Sequence, residues 1–526
     1  MVSSMNSYQL LKVLGLSFFV LGLSACMSGN NKEVQALVET GSGSVEGYIE
    51  DGVFAFKGIP YAKAERFMPP QVPDAWEGIK ECTRFSRIAM QVNSWSPDSV
   101  MNEQELFTVN VWTQGINDGK KRPVMFWLHG GGFSTGASDD PITDGHQLAK
   151  NEDVVLVSIN HRLNILGFLD LSDFGEKYAH SGNVGMLDVV AGLNWVKENI
   201  AAFGGDPDNV TIFGESGGGG KVATLMCMPP AQGLFHKAII QSGTLLNVNT
   251  KDKSTEIGRA VLDVLGLSAD QVHLLDTVPY KKLVEIGNEA LVNTVGVRTP
   301  GSGRMFGFGP VPDGEVLLQQ PFTPGFSDIS ADIPVLIGTT LNELMRTAYG
   351  EKDLSLEQAR ERLQPLYGED TDTFICLYEE AYPDYTPQDL LSIDRQFRPL
   401  TITVADARSE QVVAPVFTYL LTWKSPVDDA SRGSFHGVDI PLAFNNIELG
   451  KHWTGDGEDA VVLAGKMSAS WANFARTGNP NVGGILPEWS VYSRDNGETM
   501  IFDSECRIVN NHDRALMSLI QARFPQ

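Results

Sequence analysis

Cysteine is scarce in this chain: five among 526 residues, far apart at 26, 82, 227, 376 and 506. No C-x-x-C occurs, so a thioredoxin-type pair or a zinc ribbon is excluded, and spacing alone pairs none of the five. The cysteines are too far apart in sequence to suggest a metal site, and the expectation is an activity without metal or cofactor. Long apolar runs are lacking as well. The run VLGLSFFVLGLSA after Lys12 is too short for a comfortable transmembrane helix. Positive charge is in deficit, with 40 Lys and Arg against 65 Asp and Glu and a net charge of −25. That balance argues against nucleic acid and polyanionic substrates, which need a basic face. What remains is ordinary: 42% hydrophobic and 20% charged residues, enough to bury a large core and to exclude wholesale disorder.

One stretch organises the rest: NVTIFGESGGGGKVATLM, residues 209–226. Val210 to Phe213 is a β-branched and aromatic run, expected as a buried strand. Gly214-Glu215-Ser216-Gly217-Gly218 is a G-x-S-x-G turn, and Lys221 to Met226 is expected as helix. A sharp strand-to-helix turn exposes a serine hydroxyl and crowds its neighbours, which is why glycine stands two residues to either side. The helix start adds N–H donors and partial positive charge where an oxyanion would form. A phosphate-binding loop is the rival reading. It requires G-x-x-x-x-G-K-[ST], but Glu215 occupies its first position and Val222 its last.

Around the elbow, apolar runs at 123–128, 154–159, 238–243 and 334–338 alternate with helical spacing such as that of Val189, Leu193, Val196 and Ile200. This pattern predicts a large, mostly parallel sheet with helices on its faces. Ser42 to Phe56 alternates polar and apolar residues, as antiparallel strands do. Residues 344–409 carry charged helical patterns, expected as a helical insertion over the C-terminal edge of the sheet. A G-x-G-x-x-A at Gly455 follows no strand and is set aside as a nucleotide site.

A serine hydroxyl needs a base, and the base needs an acid to orient it. On sheets with this elbow the order is serine, acid, histidine. Five histidines follow Ser216: His236, His273, His436, His452 and His512. His236 precedes a core strand, at the wrong end of the sheet, whereas His436 lies in a glycine-bearing loop soon after one. Glu343, just past the strand PVLIG, is the acid placed at a strand end. His129-Gly130-Gly131-Gly132 follows another core strand, where backbone N–H groups can face a developing oxyanion.

These residues together resemble the type-B carboxylesterases, the α/β-hydrolase group that includes para-nitrobenzyl esterases and the cholinesterases. The matching segments include FKGIPYA, FWLHGGGF, SINHRLNILGFL, WVKENIAAFGGDPDNVTIFGESGGG, KAIIQSG, VLIGTTLNE and FHGVDIPLAF. The resemblance implies an α/β-hydrolase fold over residues 34–526 as a single catalytic domain acting on a small-molecule ester. It implies Ser216 as nucleophile, Glu343 as acid, His436 as base, and the N–H groups of Gly131, Gly132 and Gly217 as oxyanion donors. It further implies a buried Arg162–Asp188 pair and a supporting cluster of Glu215, Ser242 and Asp439. An amidase or lipase could use the same triad, and a binding protein can be built on the same fold. The departures are specific. Leu106 stands where the family often has the second cysteine of a disulfide, and residues 86–91 lack the first. Gln104 stands at the place of the acid that pairs with Arg66, with Glu103 and Glu105 on either side. Gly217 replaces the usual alanine, so alanine is expected to be tolerated there, in a helical conformation.

The N-terminus is expected to lie outside this fold. Leu23-Ser24-Ala25-Cys26 resembles the lipobox of bacterial lipoproteins. It implies a signal peptide over residues 1–25, a lipid on Cys26 and a polar tether over 26–33. Met27, rather than aspartate, follows that cysteine, which favours the outer membrane.

Overall fold

The computed structural model describes residues 35–91, 101–244, 247–296, 307–323, 325–344, 354–411 and 413–525. The proposed signal stretch, the tether and Cys26 lie outside the described residues. So do residues 345–353 of the expected helical insertion.

Fourteen strands are found among the described residues: β1 Leu37–Thr40, β2 Gly43–Glu46, β3 Tyr48–Glu50, β4 Val53–Pro60, β5 Ile79–Glu81, β6 Thr108–Thr113, β7 Arg122–Leu128, β8 Val155–Ile159, β9 Gly205–Glu215, β10 Lys237–Gln241, β11 Val335–Thr340, β12 Val416–Leu421, β13 Glu498–Phe502 and β14 Arg507–Asn510. Strands β1, β2 and β5 form a small sheet, and the remaining 11 form one large sheet in the order β14-β13-β12-β11-β10-β9-β7-β8-β6-β4-β3. Its middle is parallel from β8 through β7, β9, β10, β11 and β12 to β13. Both margins are antiparallel, β3-β4-β6-β8 on one side and β13-β14 on the other. The parallel middle is what near-continuous apolar runs demand, because such strands are covered on both faces.

Strand β7 shows how the two faces are divided. Val124, Phe126 and Leu128 enter one hydrophobic core, and Met125 and Trp127 enter the other, as the period of two requires. Helix Val184–Asn199 covers the first face through Met186, Val189, Leu193 and Val196. Helix Glu458–Thr477 covers the second through Leu463, Met467, Trp471 and Phe474. The described residues 354–411 between β11 and β12 carry helices Leu356–Tyr367, Thr371–Ala381, Pro387–Ser392 and Phe397–Gln411, in keeping with the charged helical patterns of the sequence. It shares a third core with Leu420 of β12, Ile501 of β13 and helix Arg514–Arg523.

The elbow helix starts earlier than its composition suggests. It spans Gly217–Leu225, with four glycines forming its first turn. Glycine is a poor helix former, but here the helix lies against other backbones. A Cβ on Gly218 would stand 2.0 Å from the Leu128 carbonyl oxygen, and one on Gly219 2.9 Å from the Gly243 Cα. Close backbone approach therefore decides the composition of this turn, and propensity does not.

Candidate active site

Ser216 sits between β9 and helix Gly217–Leu225 with φ 56° and ψ −122°, a strained conformation for a residue with a side chain. The turn is held by its own backbone: Ser216 N–H donates to Gln241 O (2.8 Å) and Gly220 N–H donates to Ser216 O (3.0 Å). The serine is thereby set at the helix N-terminus and lines a cavity of about 940 Å³. His436 and Glu215 line the same cavity, with Trp127, Phe133, Phe397 and Trp453 supplying aromatic wall.

Glu343 and His436 come from the loops that follow β11 and β12. Parallel neighbours deliver their loops to the same edge of the sheet, and hydrogen bonds then join the two loops. Asn342 N–H donates to Ser434 O (3.0 Å), and Ser434 N–H returns a bond to the Asn342 side-chain oxygen (2.8 Å). The Asn342 amide also donates to Ser392 O (3.2 Å), and His436 N–H donates to Glu343 O (3.1 Å). Glu343 is completely buried, with φ 32°, and its Oε1 accepts the Thr340 N–H at 2.9 Å. Its Oε2 makes a short hydrogen bond to His436 Nδ1. The opposite ring nitrogen, Nε2, lies 3.3 Å from Glu215 Oε1. Phe397, at the start of the last helix of the insertion, stacks on the His436 ring with centroids 5.3 Å apart.

Charge is concentrated here. Burial opposes protonation of His436, but Glu215 and Glu343, with Asp439 behind them, outweigh it and raise its pKa above the ordinary 6.5. Burial likewise pushes the Glu215 carboxyl up, to about 8. Asp439 is fully buried, and its Oδ2 accepts from the Gln241 amide and the Tyr419 hydroxyl, both at 2.9 Å. Gln241 is held in turn by the Trp471 indole N–H (3.1 Å). Ser242 follows Gln241 at the end of β10, with φ 47°, and its buried hydroxyl has no hydrogen-bond partner among the described residues. The side chains that hold Asp439 are thus Gln241 and Tyr419, and Ser242 is not one of them.

The glycine loop after β7 lies directly over the elbow. Gly131 and Gly132 have φ of 86° and 64°, and Gly131 O accepts from Ser134 and Thr135 N–H at 3.2 and 3.1 Å. A Cβ placed on Gly217 would stand 2.2 Å from Gly132 O and 2.3 Å from Gly132 N and Cα. Gly217 lies in the first turn of the helix, as expected, and is not among the positive-φ glycines, but the packing around it opposes the expectation that alanine is tolerated there. The space a methyl group needs is taken by the loop.

Further out, Arg162 and Asp188 form the expected buried pair, with Nε and Nη2 bonding the carboxylate at 2.8 and 2.7 Å. Arg66 has an acid after all. Glu103, one residue before Gln104, takes both Nε (2.6 Å) and Nη2 (2.5 Å). Cys82, Cys227, Cys376 and Cys506 form no disulfide among the described residues.

Residues 34–517 match the model of the carboxylesterase family. The chain belongs to that family. It is 35% identical over 490 residues to the para-nitrobenzyl esterase of Bacillus subtilis (strain 168), a match covering 90% of this chain and 96% of that one. It is 30% identical over 498 residues to the phenmedipham hydrolase of Pseudarthrobacter oxydans, covering 89% and 95%. Among solved structures, an esterase of Clostridium hathewayi that hydrolyses aliphatic aromatic polyesters superposes with a TM-score of 0.83 at 36% identity, covering 93% of this chain and 98% of that one. The fold is accordingly the α/β-hydrolase fold of the carboxylesterases, and the protein is an ester-hydrolysing enzyme. Sequence reasoning within the family pattern did not reach Asn342, Ser434, Phe397, Gln241 or Tyr419. Asn342 and Gln241 lie inside the matching segments VLIGTTLNE and KAIIQSG, and Ser434, Phe397 and Tyr419 lie outside them, but the part each plays is set by tertiary contact.

Proposed function

We propose that this carboxylesterase works through an acyl-enzyme on Ser216, with His436 as base, Glu343 as the acid that orients it, and the N–H groups of Gly131, Gly132 and Gly217 as oxyanion hole. The observation that carries the reading is Ser216, strained at an elbow and lining one cavity with His436, whose other ring nitrogen is bonded to buried Glu343. His436 Nε2 takes the hydroxyl proton as Ser216 Oγ attacks the ester carbonyl. The carbonyl electrons move onto oxygen, where three backbone donors and the helix N-terminus meet the charge. Collapse of the tetrahedral adduct breaks the ester bond, and the alcohol leaves with the proton held by His436. Water then repeats the sequence on the acyl-serine and releases the acid. Glu343 keeps Nδ1–H in place, so that Nε2 presents its lone pair.

The substrate is a small ester. The aromatic wall of Trp127, Phe133, Phe397 and Trp453 favours one with an aromatic or bulky apolar group. The relatives named for para-nitrobenzyl and aromatic polyester substrates point the same way. The deciding experiment is labelling with a fluorophosphonate followed by peptide mapping, alongside turnover of aryl esters by Ser216→Ala. The expected result is a single label on Ser216, with kcat in the variant down by about 10⁴-fold or more and the fold retained. A label on another residue, or near-normal turnover in the variant, rejects the mechanism.

For location, Leu23 to Cys26 supports a lipid anchor on Cys26 in the bacterial envelope, on the outer membrane by the Met27 argument.

A further inference from the structure

Helix Gly217–Leu225 carries a buried lysine that the chemistry above does not use. Lys221 is fully buried, and no carboxylate forms an ion pair with it among the described residues: burial lowers its pKa, from 10.5 to about 7. Its ammonium group donates to His129 O (2.8 Å) and Gly132 O (3.0 Å), the carbonyls at the two ends of the glycine loop. The Phe133 ring lies 5.7 Å away. The other titratable groups beside it are His129 and His161, stacked 5.0 Å apart. Each uses Nδ1 on a backbone carbonyl, and burial, then the Lys221 charge, lowers both pKa values. An amine in such a place is destabilising by itself, and an apolar side chain would fill the volume more favourably.

The second observation is on the same helix face. Gly217 is one turn before Lys221, and positions four apart stand over one another. The loop touches the helix where Gly217 has no side chain, close enough that a methyl group would overlap Gly132. One residue grips the loop, and the other leaves room for it to come down.

We infer that Lys221 is a positioning residue for the oxyanion hole, drawing the Gly130–Gly132 loop onto the bare face at Gly217 and so setting the spacing between the loop donors and the Gly217 N–H. The inference rests on the esterase mechanism proposed above. Its physical basis is that the donors come from two separate elements. They stabilise one oxygen only if both stand about 2.7–3.1 Å from it, so the contact between loop and helix decides the geometry.

The test is a double-mutant cycle with Lys221→Met, Gly217→Ala and the pair, using enzyme whose active sites are counted by fluorophosphonate titration. Three quantities are read: kcat, KM on an aryl ester, and affinity for a trifluoromethyl ketone, which forms a tetrahedral adduct. Lys221→Met should lower kcat on the order of 10- to 100-fold, through misplacement of the donors. KM should stay within about twofold, and ketone affinity should fall in step with kcat. Gly217→Ala should damage the wild-type background and do little in Lys221→Met, because a released loop can move off the methyl group. Should the apolar variant not fold, Lys221→Gln, which keeps a donor for one carbonyl, is expected to show the same pattern with a smaller loss. Wild-type kcat per titrated site in a Lys221 variant, or the same fold loss from Gly217→Ala in both backgrounds, overturns the inference. A wild-type enzyme that neither labels nor turns over esters overturns the underlying mechanism instead.

Discussion

In the proposed mechanism His436 must be neutral to accept the Ser216 proton, and its surroundings make that harder. An ordinary histidine value places the acid limb of activity at about pH 6 to 7. Glu215 on one side of the ring and Glu343 on the other stabilise the cation more than burial destabilises it, so the pKa is raised. A base with a raised pKa is lost as pH falls through that higher value, so the limb should lie above the ordinary histidine range. Glu215→Gln removes one of the charges and should move the limb to lower pH. A pH profile of kcat/KM for both enzymes checks this, and an unmoved limb would show that Glu215 carries no charge in the free enzyme. Arg66 teaches a related lesson. Its partner is displaced by one residue, from Gln104 to Glu103, and a pattern aligned on sequence alone does not choose between Glu103 and Glu105, the carboxylates on either side.

The loops that carry Glu343 and His436, the proposed acid and base, are not regular structure. Hydrogen bonds join them to each other, and Asn342 is the centre of that joint. Its backbone N–H, side-chain oxygen and side-chain amide serve Ser434 O, Ser434 N and Ser392 O. Asn342→Ala leaves buried backbone groups unpaired, which should destabilise the fold by about 1–3 kcal/mol. It should also lower kcat more than it raises KM, since Asn342 belongs to the loop that carries Glu343 and does not line the cavity. Thermal melts and steady-state kinetics on esters test both effects. A loss of stability with unchanged kcat would mean that the Glu343–His436 hydrogen bond holds the loops unaided. The helical segment adds to the same site from a third direction through Phe397, whose ring lies against His436.

At the scale of the whole molecule, stability does not depend on covalent links among the described residues. Cys82 and Cys227 are buried, and burial pushes their thiols up to about 11 and about 12, whereas Cys376 is exposed. A thiol reagent on the native protein should therefore modify Cys376 first, and Cys82 and Cys227 only after denaturation. Mass spectrometry of labelled peptides over time checks the order, and early labelling of Cys82 contradicts it. The proposed anchor is tested on the full chain: Cys26→Ser should move the protein from the membrane to the soluble fraction and abolish incorporation of labelled fatty acid. A wild-type protein that is soluble and free of lipid rejects the anchor. The amino-acid sequence by itself determined a large, mostly parallel sheet flanked by helices, because apolar runs of strand length alternating with amphipathic helices have few ways to be buried, and its resemblance to the carboxylesterases implied the α/β-hydrolase form of that sheet. It also pointed to Ser216, Glu343 and His436, because strand ends in a parallel sheet converge on one edge. What tertiary structure alone decided was contact between elements distant in sequence. Gln241 and Tyr419 hold Asp439. The glycine loop takes the space beside Gly217, and Lys221 grips that loop across 89 residues of chain. Periodicity reports which face of an element is buried. It carries no record of which distant backbone comes to lie against that face, and at this site the backbones touch.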